Sequence, residues 1–220
     1  VLSEYGITRV SRSVALNRLF RQRGWLTVKE ELGRELLDCG ASRAFAIADH
    51  QVAHIYVNDP ALRPAVRAAV EGAEGVARVL EGPGRSAEGL DHARSGDLIA
   101  FSAEDAWFTY YYWDDDAKAP DFARCVDIHR KYGYDPVELF VDPALRFPRM
   151  RIAAKLLRKT LGFRMLMDVI PLDPSLVRGS HGTCPADPDE WPVLIGTGAA
   201  AGPIPATAVR DRLLAACLST

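Results

Sequence analysis

Apolar positions along the chain repeat at two spacings, near 3.6 and near 2, and the stretches alternate between them. Val14, Leu16, Leu19 and Phe20 share one helical face, which predicts a helix over 14–23, capped by Ser11 or Ser13 and ended by Gly24. Residues 25–31 alternate as a strand, residues 38–40 read as a turn, and 43–48 and 54–57 read as two short strands. Asn58-Asp59-Pro60 breaks the pattern and opens a helix over 61–71. Strands follow at 76–80, 97–102 and, richly aromatic, 107–113, which three adjacent carboxylates at 114–116 bring to an end. Residues 81–95 read as a surface loop or short helical piece, and 120–142 as irregular and polar. A helix over 150–160 shows Ile152, Ala153, Leu156 and Leu157 on one side. Val1-Leu2 and 192–195 read as buried strand, 187–191 and 196–205 as loops, and 207–218 as an amphipathic helix. No repeat or low-complexity tract interrupts this order. Mixed short strands and helices make the chain α/β or α+β, with a strand-rich middle.

Composition narrows the function classes. An apolar content of 48% and a charged content of 25% are those of an ordinary globular protein. Net charge is −2 and the Lys and Arg residues are spread out, so no basic footprint for nucleic acid exists. No apolar run approaches the roughly 20 residues that span a bilayer, and no basic-then-apolar leader opens the chain, so no membrane partner is expected. Cys39, Cys125, Cys184 and Cys217 are scattered without a CxxC pair. That argues against a zinc ribbon or disulfide scaffold and for reduced thiols in a cytoplasm. The chain opens on Val1, inside an apolar run and without Met, as a piece cut from something longer would.

Two turns carry most of the candidate chemistry. Leu2-Ser-Glu-Tyr-Gly-Ile7 and Leu176-Val-Arg-Gly-Ser-His-Gly-Thr183 each place a functional side chain before a glycine, beside an apolar run. Glycine accepts positive φ and close approach, so such a turn can aim Glu4 or His181 off a strand end; each is otherwise an ordinary surface turn. His50 and His54 are four apart, a spacing that shares a face only on a helix, whereas a strand or bend is expected here. His129-Arg130-Lys131 reads as an anion-binding edge or as a solvated charged loop. Tyr110-Tyr-Tyr-Trp113 reads as a stacking platform or as core and rim. No nucleophile elbow, phosphate loop, dinucleotide fingerprint or kinase signature is present.

Taken together, the two turns resemble a known pattern. Leu2-Ser-Glu-Tyr-Gly-Ile7, then Ala15-Leu-Asn-Arg-Leu-Phe20 and Trp25-Leu-Thr-Val28, is similar to the Ser-Asp-His-Gly-Met turn and following helix of type I phosphodiesterase/nucleotide pyrophosphatase proteins, in the alkaline phosphatase superfamily. Gly179-Ser-His-Gly182, Pro192-Val-Leu-Ile-Gly196 and the closing helix resemble that family's late His-Gly turn and final strand, loop and helix. The resemblance implies an α/β fold, a mixed sheet flanked by helices, with residues 1–220 as its C-terminal portion and 40–145 as a strand-rich insert. It also implies two divalent metals, usually zinc, that clamp the attacking and leaving oxygens of a displacement at phosphorus. His181 matches the late metal-binding His, Glu4 stands where the family has Asp, and Tyr5 where it has His. Glu still ligates a divalent ion, but Tyr must first lose a proton with a pKa near 10. The early Asp, the nucleophile and a further Asp/His pair would lie upstream of Val1, so the metal site in this chain is incomplete.

The expected function is therefore that of the C-terminal part of a metal-dependent phosphohydrolase, inactive alone. It would act on a small phosphorylated substrate — a phosphodiester, nucleotide pyrophosphate or phosphonate — together with the missing N-terminal half of the same protein. Glu4, Tyr5 and His181 are the expected metal ligands, and His129, Arg130 and Lys131 the expected substrate-anion contacts. Glu4 and His181 are expected to approach each other at one end of a shared sheet. The alternative is a non-catalytic binding or assembly module on a degenerate phosphatase-like fold.

Overall fold

A computed structural model of the protein describes residues 1–196 and 202–218. The chain divides into two compact units: residues 7–191, and residues 1–6 together with the segment from Pro192 onward.

The larger unit runs through β1 (Thr8–Arg9), β2 (Arg12–Val14), α1 (Leu16–Gln22), β3 (Val28–Glu31), β4 (Arg34–Leu37), β5 (Ala44–Asp49), β6 (Val52–Val57), α2 (Arg63–Glu71), β7 (Val76–Glu81), α3 (Pro83–Ala87), β8 (Leu98–Ser102), β9 (Ala106–Phe108), α4 (Pro148–Thr160) and β10 (Gly179–Ser180). Its centre is an antiparallel sheet in the order β5-β6-β8-β7. The alternation read from sequence is what buries it: Ala44, Ala46 and Ala48 of β5 and Ala53, Ile55 and Val57 of β6 face the core, while intervening residues look outward. All five residues of β8 are buried, as a central strand requires. α2 covers the core with Val66, Ala69 and Val70.

The outer edge of β5 is completed by a side chain. Asn17 of α1 accepts from the Ala46 N–H and donates to the Ala46 carbonyl, both at 2.8 Å. This side chain takes the place of a neighbouring strand on β5, where an open edge would invite pairing with another chain. Shorter pairs surround the sheet: β3 with β4 and β1 with β10, antiparallel, and β2 with β9, parallel.

Several expectations need correction. The aromatic strand stops at Phe108; Tyr110 to Trp113 leave the sheet but remain buried, so they are core and cannot serve as a stacking platform for ligands. Their carbonyls find partners on α1 instead of on a strand: Asn17 donates to Tyr110 at 3.4 Å, Arg21 to Tyr112 at 3.2 Å and Arg18 to Trp113 at 2.6 Å. Residues 120–142 are irregular as expected except for a 3-10 turn at Pro136–Leu139, and Val137 and the Lys131 and Asp135 side chains are buried among them. α4 forms where the pattern places it, but its apolar side is open: Leu156 and Leu157 are exposed.

In the smaller unit, Val1-Leu2 and 192–195 are not buried strand. A single antiparallel bridge joins Leu2 to Leu194, flanked by Ile195 N–H to Val1 O at 2.8 Å and Ser3 N–H to Val193 O at 3.0 Å. Val1, Leu2, Val193 and Ile195 are exposed. The last helix, α5 (Val209–Leu218), has no buried residue: Leu213 and Leu214 are adjacent and about 100° apart, so they do not form one buried stripe. Of the loop expected over 196–205, residues 197–201 lie outside the described residues. No described helix is long and apolar enough to cross a membrane.

Candidate functional site

The hairpin between β5 and β6 turns through only His50 and Gln51, since Asp49 pairs with Val52. His50 takes φ of 55° there. Two-residue hairpins favour such values, but they normally place Gly or Asn in them. The backbone beside it is firmly tied. Gln51 is buried; its side-chain amide donates to the carbonyls of Glu104 and Ala106, both at 3.1 Å, and its main-chain carbonyl accepts from Ser102 N–H at 3.0 Å. The His50 carbonyl accepts from Phe108 N–H at 2.7 Å.

Two other segments come to this turn. β10 is set by its pairing with β1, Thr8 opposite Ser180, and the next residue, His181, accepts from Gln51 N–H at 2.9 Å through its carbonyl. Thr183 Oγ1 donates to Gln51 Oε1 at 3.2 Å. Gly182 must be glycine-like: its φ is 118°, and a Cβ there would meet Val52 Cγ2 at 3.3 Å. From the third segment, Tyr134 N–H donates to Ala48 O at 2.9 Å, and a Cβ on Gly133 would lie 2.1 Å from that same oxygen.

The side chains converge accordingly. The His50 ring lies 3.9 Å from the His181 ring, at 36°, and 4.6 Å from the Tyr134 ring, at 29°. Ser180 Oγ is 3.5 Å from His50 Nδ1, and Asp49 Oδ1 is 3.9 Å from His50 Nε2. Burial, with a smaller push from His181, lowers the His50 pKa to about 4 against the opposing pull of Asp49. At neutral pH His50 is therefore an uncharged imidazole. The cluster offers two imidazoles, a hydroxyl and a phenol, groups that hold or pass a proton and hydrogen-bond an oxyanion.

The remaining predicted residues belong to other segments. Glu4 and Tyr5 are exposed in the turn of the smaller unit, whereas His181 belongs to the larger one. His129 is exposed, and Arg130 is engaged with Asp121 at 2.9 Å and over the Phe122 ring at 4.9 Å. Lys131 is a correction. Its ammonium is fully buried between Asp135 at 3.1 Å and Glu138 at 2.6 Å, so this cation neutralises the protein's own carboxylates and meets no substrate. His54 points away from any pairing with His50: it lies in mid-strand, and its Nδ1 accepts from Gly96 N–H at 3.1 Å. Sequence reasoning missed Tyr134 and Ser180 as neighbours of His50. The glycine before Tyr134 is the signal for that residue, and Ser180 stands inside the Gly179-Ser-His-Gly182 motif itself.

The donor set does not by itself fit a dinuclear metal centre. Among the described residues no three His, Cys, Asp or Glu side chains gather as a metal site. What touches the His50 ring next to His181 is a phenol and a hydroxyl, poor ligands at neutral pH.

The sequence profile of type I phosphodiesterase / nucleotide pyrophosphatase matches residues 1–135. The chain belongs to that family. The match takes in Glu4, Tyr5, His50 and Tyr134 and ends before Ser180 and His181. Two solved structures are similar to this phosphodiesterase-family chain, both of phosphonoacetate hydrolase from Sinorhizobium meliloti 1021. The complex with phosphonoacetate is 16% identical, with a TM-score of 0.36 over 50% of this chain and 28% of its own. The complex with phosphonoformate is 17% identical, with a TM-score of 0.38 over 55% and 30%. The chain thus spans less than a third of the length of those proteins. No curated protein matches.

Proposed function

We propose that this chain is one part of a metal-dependent hydrolase of phosphodiesters, nucleotide pyrophosphates or phosphonates, with residues 40–145 as an insert in a phosphatase-like domain. The observation that carries the reading is the His181-Gly182 turn, tied by backbone to the β5–β6 hairpin with a neutral His50 against its ring, in a chain of the phosphodiesterase family. In this reading His181, Glu4 and Tyr5 are ligands, and the other donors for two divalent ions, zinc by preference, come from an N-terminal half beyond these residues. His129 and Arg130 remain the proposed contacts for the substrate anion; Lys131 does not. The metal, when bound, supplies charge for the displacement at phosphorus; this chain's own part is to hold the His181 imidazole in place. Because no nucleophile is assigned in these residues, the chain alone is proposed to be inactive. A cytoplasmic setting is proposed from cysteine usage, and burial raises the pKa of Cys39 and Cys125, which suits quiet, reduced thiols.

The test is His181→Ala in the full-length protein, assayed on a p-nitrophenyl phosphodiester with zinc or manganese. Turnover should fall to background while the melting temperature holds, and the 220-residue chain should show none. Activity retained in His181→Ala would remove His181 from the site. A second reading, a non-catalytic binding module, draws support from the unsuited donor set around His181. It takes over if the full-length wild-type protein turns over no such substrate.

A further inference from the structure

We propose that His50 is a positioning residue for His181. The inference rests on the reading above for what His181 does, but its own geometry is independent of that reading. His50 occupies a positive φ that costs any side chain more than glycine, and the structure keeps it there. Such a conformation persists where the surrounding structure holds it, as the backbone bonds of Gln51 and of the His50 carbonyl do here; exposed Leu32 shows that positive φ alone assigns no role. The β3–β4 hairpin spends a glycine, Gly33, at one of its two positive-φ positions, Leu32 holding the other; the β5–β6 hairpin has none.

The role is visible in what the ring touches. Its side chain is only 15% exposed. Its neighbours are the His181 ring at 3.9 Å, the Tyr134 ring at 4.6 Å and Ser180 Oγ, 3.5 Å from Nδ1, with Asp49 Oδ1 3.9 Å from Nε2. Gln51 N–H fixes the His181 main chain at 2.9 Å through its carbonyl, and the His50 ring lies against the side chain, whose χ angles set the imidazole. The His50 face restricts those angles. One turn of two residues therefore holds both ends of His181: Gln51 the main chain, His50 the ring.

The prediction separates positioning from structure because glycine suits the φ of residue 50. His50→Gly in the full-length protein removes the ring and relieves the backbone, so its melting temperature should equal or exceed the wild type. Its kcat should fall 10- to 100-fold, as loss of an orienting partner typically does, with KM little changed. The His181 ring resonance should shift or broaden in an NMR spectrum of His50→Gly. His50→Phe, which keeps an aromatic face, should restore that resonance and most of kcat at a lower melting temperature. A His50→Gly protein with wild-type kcat and an unmoved His181 resonance overturns the proposal, as does loss of melting temperature along with activity. A Phe variant that rescues neither readout overturns ring contact as the device. Failure of the hydrolase reading shows separately, as a full-length wild type without turnover; the His181 resonance still decides the role of His50.

Discussion

Burial of His50 has a consequence for acid stability. Its pKa is about 4 in the fold against an ordinary 6.5. Between those values the unfolded chain binds the proton and the folded one does not, so stability is complete above pH 6.5 and falls as the pH drops toward 4. A shift of that size corresponds to roughly 3 kcal/mol at most. His50→Asn, which tolerates positive φ, removes the titration. The difference in urea-derived stability between pH 7 and pH 4.5 should shrink by about 2 kcal/mol in that variant, and an unchanged difference would show that burial of the imidazole is not what acid attacks. Lys131 makes the complementary point. Sequence placed it in a basic triplet, and nothing in the triplet distinguishes a solvated cation from one enclosed by Asp135 and Glu138. The spacing of Asp135 four residues on is a weak signal by itself, because that pairing is regular only on a helix.

Among elements, those with local causes were legible. β5 and β6 follow from alternation, α2 from Pro60 and its apolar face, and α4 from its period, each within a few residues. What failed depended on distant partners. Residues 109–113 carry the composition of a strand and are denied one because α1 side chains take their carbonyls. Val1-Leu2 and 192–195 carry the composition of buried strands, yet Val1, Leu2, Val193 and Ile195 are exposed and Leu194 is only half-buried. The candidate site shows the same division. His181 and its glycine stood out in sequence, whereas His50, Tyr134 and Ser180 join it only through three separate backbone contacts. Asn17 is the element-scale test of such distant contacts. Asn17→Leu deletes both bonds to Ala46 and strands a buried N–H and carbonyl, so it should cost about 2–6 kcal/mol at roughly 1–3 kcal/mol per unpaired group. Thermal melting reads this directly; a shift of less than a degree would mean that water or a rearranged strand replaces the amide.

For the larger unit, the pairing that sets the His181 turn also sets a timetable. Thr8 and Ser180 lie near opposite ends of residues 7–191, while the β5–β6 hairpin is closed by neighbours. Contacts between chain neighbours close at small entropic cost, and those spanning a long loop wait until much else has formed. The hairpin should therefore fold early with its His50 ring uncovered, and the His181 turn should dock onto it late. One amide records the event. Gln51 N–H has no partner until the His181 carbonyl arrives, so in pulse-labelled refolding it should gain protection after the strand amides of β5 and β6. Simultaneous protection would mean that the turn docks as the hairpin forms. A late-arriving imidazole makes the His181 turn the last part of this pairing to form and, by the same pairing, the part exposed to loss when the chain is cut between Thr8 and Ser180.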